Sequence, residues 1–220
     1  MLSKKKILVF IDWYLPGYKA GGPIQSCANL IAHLCDEFDF YIVTRDSDYC
    51  ETQAYQGIRS NEWNTLKDGS KVFYISHTYL SASLIKKICR ETDFDYAYIN
   101  GVYSFYFSIL PLYYLRTINR IKIIVASRGM LAQSAIKVKS AKKSLFLLAS
   151  KIMGLYNQVT FQASTLDEVK DIKYALGVKT KIILAGNLPK KYNSGSYPVK
   201  EKIEGRLKLI NIARDRKSVV

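Results

Sequence analysis

The amino-acid sequence predicts an α/β fold, a doubly wound and mostly parallel sheet with helices on both faces. Three observations carry this. Short apolar runs such as "KILVFI", "KVFYIS" and "KIIVAS" recur, as in parallel strands covered on both sides. Stretches with apolar residues at helical spacing alternate with them, which is the pattern of strand–helix–strand units. Hydrophobic residues make up 49% of the 220, enough to bury a full core in one large domain.

The elements follow in order. Lys6 to Ile11 is the first strand, and the loop "DWYLPGYKAGG" leads to a helix opened by Pro23, whose missing N–H costs nothing there. Ile24, Cys27, Ala28, Ile31 and Leu34 form the buried stripe of that helix, and His33 falls on its far side, exposed and idle. "FYIVTRD" is the second strand, and a polar stretch through "NEWNTLKDG" precedes a third, "KVFYIS". "SASLIKKICRE" is an amphipathic helix, "FDYAYING" a strand, and Ser104 to Asn119 one mostly buried helix. After "KIIVASRGM" comes a helix from Ile136 to Met153, lysine-studded first and apolar later. "QVTFQAS" is a strand. The next helix carries a capping-box pattern in Thr165 and Glu168 and a glycine stop at Gly177. "KIILAGNLP" closes the alternation.

Charge narrows the partners. Lys and Arg number 33 against 18 Asp and Glu, and no acidic residue occurs between Tyr96 and Leu166. One face or edge should be basic, as suits phosphates, nucleic acid or an anionic membrane, unless the run is only a solvated surface. The four cysteines show no C-x-x-C pair, and the histidines are two, so no metal is expected. The N-terminus is too short in apolar residues for a secretory signal, and the longest apolar stretch, Val102 to Leu115, is too short to span a bilayer. A reducing, cytoplasmic setting is expected, with any membrane contact peripheral, on the inner face.

The segment "GYKAGGPIQS" sits between the first strand and the first helix, where open α/β sheets bind ligands. Gly21 and Gly22 would free backbone N–H groups at a helix N-terminus, where the dipole favours an anion. A glycine turn that merely lets helix pack on strand is the alternative. Gly17, Gly21 and Gly22 do not form G-x-G-x-x-G, and Gly22 is followed by Pro23 and not by the lysine of a P-loop. NAD and ATP enzymes are therefore disfavoured, and so is a nucleotide-sugar epimerase. A hydrolase on a similar sheet stays a further alternative.

"PGYKAGGPIQSCANLIAHL" resembles the first loop and helix of glycosyltransferase family 4, retaining enzymes built from two Rossmann-like domains in the GT-B architecture. Four later segments are similar to that family in order: "GIRSNEWNTLKDGSKVFYIS", "SRGMLAQSAIKVKSAKKSLF", "TFQASTLDEVKDI" and "KIILAGNLP". The resemblance implies a Rossmann-like N-terminal, acceptor-side domain. Its activity would be transfer of a hexose from a nucleotide sugar to a growing cell-envelope polysaccharide, such as lipopolysaccharide or capsule, or to a lipid-linked saccharide. It implies that Gly21 and Gly22 face the donor diphosphate, with Tyr18 and Lys19 in the same cleft. Where such enzymes usually carry a histidine, this chain has Arg128, followed by Gly129. Arginine stays protonated and cannot shuttle a proton, but it can grip a phosphate or carboxylate. Arg128 and Gly129 are thus expected to bind substrate, with the catalytic residue unassigned. The nucleotide sugar is a substrate, and no cofactor is expected.

Lys137, Lys139, Lys142 and Lys143 precede Leu145 to Leu148, which suits docking on anionic lipid headgroups. Equally, the apolar half could pack on the sheet and leave only lysines in solvent. The competing function is a non-enzymatic basic module for nucleic acid or an anionic membrane, although no recognised nucleic-acid motif is present.

The expected organisation is a domain over 1–189, a linker over 190–205, and over 206–214 the first strand of a missing donor-binding domain. The final "DRKSVV", residues 215–220, matches the translation of a short-read sequencing adapter and is expected to be non-native. The chain as it stands is then expected to transfer no sugar by itself.

Overall fold

A computed structural model describes residues 3–118, 121–137 and 140–191 of the chain. The expected strand at 206–214, the tail at 215–220 and all but the first two residues of the linker lie outside the described residues, as does Lys139.

Along β1 (Lys5–Phe10) burial deepens toward the carboxyl end. Leu8 and Phe10 join one apolar cluster, while Val9 and the following Ile11 join another on the opposite face. α1 (Gly22–Leu34) lies on the second face through Cys27 and Ile31. β2 (Phe38–Arg45), β3 (Trp63–Thr65) and β4 (Lys71–Ile75) extend the sheet to one side of β1. α2 (Ala82–Glu91) packs on the first face, its start capped by Ser81 Oγ accepting from Leu84 N at 3.3 Å.

β5 (Tyr96–Asn100) pairs with the other edge of β1, and the chain then turns through a π-helical segment, Phe105–Ile109, into α3 (Leu110–Leu115). β6 (Lys122–Ala126), α4 (Gln133–Lys137), α5 (Ser140–Ile152), β7 (Val159–Ala163), α6 (Leu166–Leu176) and β8 (Lys181–Leu184) complete the order. The sheet runs β3-β4-β2-β1-β5-β6-β7-β8, parallel at every pairing except β3–β4. This is the expected doubly wound Rossmann-like fold.

The winding is lopsided. Among the described residues α2, α3, α5 and α6 pack on the first face, and α1 is the helix on the second. Beside α1 an apolar cleft of about 420 Å³ opens over Ile7, Tyr96, Ile124 and Ile183.

Three details differ from the sequence reading. The stretch read as polar contains β3, paired antiparallel to β4 through a turn at Asp68-Gly69, where Gly69 takes φ 83°. The helix read over 104–119 begins as a wide turn, with Ile109 N donating to Ser104 O at 2.9 Å, because Pro111 has no N–H for a regular α-helical bond. Of the helix read over 136–153, α4 and α5 are described, and residues 138–139 between them lie outside the described residues. His33 is half-buried and its Nε2 lies 3.1 Å from the carbonyl of Pro189, so it is not idle.

Candidate functional site

The chain leaves β1 for β2 on one side and later returns to β5 on the other, so the crevice between their carboxyl ends is the topological switch point. The glycine loop enters this crevice from β1, and Asn100, last residue of β5, forms its opposite wall.

The loop is anchored from outside. Asp48 accepts the backbone N–H groups of Tyr18 at 2.9 Å and Lys19 at 3.2 Å, and also that of Tyr49 at 2.7 Å. Burial pushes the Asp48 carboxyl up, but these donors outweigh it and hold it below the ordinary aspartate range. Gly17 N bonds to Tyr14 O, and a side chain at Gly17 would collide with the Tyr55 ring, so this glycine serves packing. Gly21 caps α1 at φ 75° and ψ −131°, a conformation closed to ordinary residues. Gly22 differs. An added Cβ there meets nothing within 4 Å, and its amide has no acceptor among the described residues.

Arg128 reaches the same crevice from the exit of β6. It adopts φ 51° and is followed by Gly129 at φ 70°. Its Nε–H donates to Asn100 Oδ1 at 2.7 Å, one Nη to the Tyr98 hydroxyl at 2.8 Å, and the other Nη to Asn187 Oδ1. The Tyr98 hydroxyl in turn donates to Gln162 Oε1 at 2.7 Å. Every one of these partners is neutral, and among the described residues no carboxylate pairs with the guanidinium. Asn100 also donates its Nδ2 to Pro23 O at 3.3 Å, which ties Arg128 to the first turn of α1. The result is a cation oriented by three bonds, with two N–H groups left over, beside the positive end of a helix.

Two carboxyl groups border this arrangement. Glu168, the third residue of α6, accepts from Ser127 Oγ and Gly129 N through Oε1 and from Ser164 N and Oγ through Oε2, at 2.5 to 2.7 Å. Thr165 Oγ1 accepts from Glu168 N at 3.1 Å, so half of the expected capping box forms. The glutamate does not return to the cap amide, because it is spent on the neighbouring loops. Asp12, just beyond β1, accepts from Ser104 Oγ at 2.8 Å, with Arg45 Nη2 at 3.8 Å. Burial pushes the Asp12 carboxyl up, against the pull of Ser104 and Arg45. This carboxyl can accept a hydrogen bond from a hydroxyl-bearing ligand.

Through Asn100 the structure ties Arg128 to the first turn of α1, next to Gly21 and Gly22, while the Gly129 amide is turned to Glu168. Tyr18 projects into solvent at 75% exposure, and the Lys19 ammonium pairs with Glu51 on the loop after β2. Sequence reasoning missed Asn100, Tyr98, Asn187, Asp12 and the real role of Glu168. A polar residue closing an otherwise apolar strand, as in "YAYIN", is the signal that could have found Asn100.

The lysine-rich helix packs only part of its apolar half on the sheet. Leu147 is buried, and Phe146 packs edge-on against Tyr103 at 5.5 Å. Leu145, Leu148 and Ile152 stay 56–78% exposed at positions that share one face of α5. Lys142 and Lys151 are exposed, whereas Lys143 donates to Ala135 O and lies over the Tyr103 ring at 5.4 Å. Lys137 ends α4. Among the described residues no helix is long and apolar enough to cross a membrane, and no cluster of His, Cys, Asp and Glu could hold a metal ion.

No family model and no curated protein matches this chain.

Proposed function

We propose that this domain is the acceptor-side half of a retaining sugar transferase, and that it binds the diphosphate of a nucleotide sugar between Gly22 and Arg128. The observation that carries the reading is the state of Arg128, a cation fixed by Asn100, Tyr98 and Asn187 with no neutralising carboxylate among the described residues. An Arg–phosphate contact is charge-assisted and bidentate, and the α1 terminus adds an amide and a favourable dipole. In transfer, the bond from the anomeric carbon to the diphosphate oxygen breaks and its electron pair leaves with the diphosphate. The acceptor hydroxyl oxygen bonds to that carbon, and its proton passes to the departing diphosphate oxygen. Arg128 then serves by holding the charge that develops on the leaving group. Retention of configuration and a cell-envelope saccharide as acceptor rest on the family resemblance alone.

The exposed stripe of Leu145, Leu148 and Ile152 beside Lys142 and Lys151 supports peripheral docking on an anionic membrane, the place of a lipid-linked acceptor. The same stripe favours a second reading, a basic module that binds membrane and performs no chemistry.

Calorimetric titration of the chain with inorganic pyrophosphate separates the two. One saturable site, weakened about tenfold by Arg128→Lys through loss of the bidentate fork, is the expected result. Equal affinity in the Arg128→Lys variant would remove the transferase reading and leave the membrane module.

A further inference from the structure

We infer that Glu168 is a positioning residue for the anion site, holding the backbone on both sides of Arg128 while leaving the guanidinium charge free. This rests on the reading of Arg128 as a diphosphate ligand. Glu168 is 7% exposed, and its carboxylate has four donors for its roughly four lone-pair sites.

The division between the two oxygens is what matters. Oε1 takes Ser127 Oγ at 2.5 Å and Gly129 N at 2.7 Å, the residues directly before and after Arg128. Oε2 takes Ser164 N and Oγ, both at 2.7 Å, at the exit of β7. One carboxylate thus staples the loop after β6 to the loop after β7. Arg128 needs such a staple, since φ 51° is uncommon for a residue with a side chain and persists where the surroundings impose it.

A carboxylate this near an arginine would ordinarily pair with it and cancel its charge. Here the negative charge is consumed by N–H and O–H donors, and the guanidinium bonds to neutral groups. Glu168 therefore sets where Arg128 points without competing for what it binds. A purely structural role, pinning α6 to the sheet, would need only the bonds to Ser164. The bonds to Ser127 and Gly129 distinguish the two.

The test uses the full chain, inorganic pyrophosphate, and the NMR signal of the Arg128 Nε–H group. Glu168→Gln places an amide NH₂ against Gly129 N or Ser164 N, so one loop is released. Pyrophosphate affinity should fall about tenfold, the scale of one charge-assisted hydrogen bond. In an Arg128→Ala background the same change should cost less than about twofold, because Glu168 acts through the arginine. A full loss in that background would overturn the inference.

Should Glu168→Gln fail to fold, a milder pair carries the test. Ser127→Ala should weaken pyrophosphate binding, whereas Thr165→Ala, which removes only the cap of α6, should leave it unchanged, and equal effects would overturn the inference. If the wild-type chain binds no pyrophosphate, the diphosphate reading fails, and Glu168 is judged by the NMR signal alone. The Arg128 Nε–H resonance should be protected from exchange in the wild type and lose protection in Ser127→Ala. Unchanged protection would exclude the positioning role.

Discussion

Arg128 donates its Nε–H to Asn100 Oδ1 at 2.7 Å, and through that bond the loop after β6 is joined to the end of β5. Because Asn100 is neutral, it orients the guanidinium without satisfying its charge. Asn100→Asp would supply the missing carboxylate at the same place. Pyrophosphate affinity should then fall about tenfold or more, as an internal ion pair replaces the ligand. The melting temperature should move little, since the lost bond to Pro23, worth about 1 kcal/mol, is offset by the new pair. Calorimetry and thermal melts on the same protein check both halves, and undiminished affinity would contradict the anion site.

The two glycines at the start of α1 should separate in their effects. Gly21 has φ 75° and ψ −131°, so Gly21→Ala should cost about 1–3 kcal/mol of stability. Gly22 faces open space, so Gly22→Val should melt like the wild type and yet bind pyrophosphate poorly. Normal binding by Gly22→Val would make the loop a packing device only.

Acid should act through Glu168. Burial raises its pKa, but hydrogen bonds from Ser127, Ser164 and Gly129 outweigh this and hold it below the ordinary value of 4.5. A carboxylate with a depressed folded-state pKa contributes stability that is present above the unfolded value and lost as pH falls through the folded one. Glu168→Gln should therefore be less stable at neutral pH, with the gap closing as pH falls below about 4.5. Asp48 behaves with the same sign and Asp12 with the opposite one, in both proteins alike. Thermal melts across this range decide it, and a constant gap would show that the charge of Glu168 contributes nothing.

Membrane docking should need both charge and the apolar stripe. Vesicles containing phosphatidylglycerol should retain the chain at low ionic strength and release it toward 1 M salt, where the Debye length is about 3 Å. Replacing Leu145 and Leu148 by Ser should weaken retention, because both side chains face solvent. Equal binding to neutral vesicles would refute electrostatic docking.

The sheet was legible because its strands are buried on both faces and read as apolar runs, from Ile7 to Phe10 and from Ile123 to Val125. β3 was not, since Trp63–Thr65 is a short edge strand whose only cue was the following Asp68-Gly69 turn. Within the site, Gly21 was legible from local spacing, because its positive φ is a property of one position. The partners of Arg128 were not. Asn100 and Asn187 stand 28 and 59 residues away, and only the sheet order brings them together. Glu168 was misread for a related reason. Its spacing from Thr165 suits a capping box, while its true partners include Ser127 and Gly129, supplied by a neighbouring strand.

The most direct measurement of the central claim is a ¹⁵N–¹H NMR titration of the chain with inorganic pyrophosphate at about 0.15 M ionic strength, where diffuse surface attraction is largely screened. The account predicts saturable shifts confined to the Gly22 amide, the Arg128 Nε–H and their immediate neighbours, lost in Arg128→Lys. Non-saturating shifts spread over the surface lysines, with Gly22 and Arg128 unmoved, would contradict it.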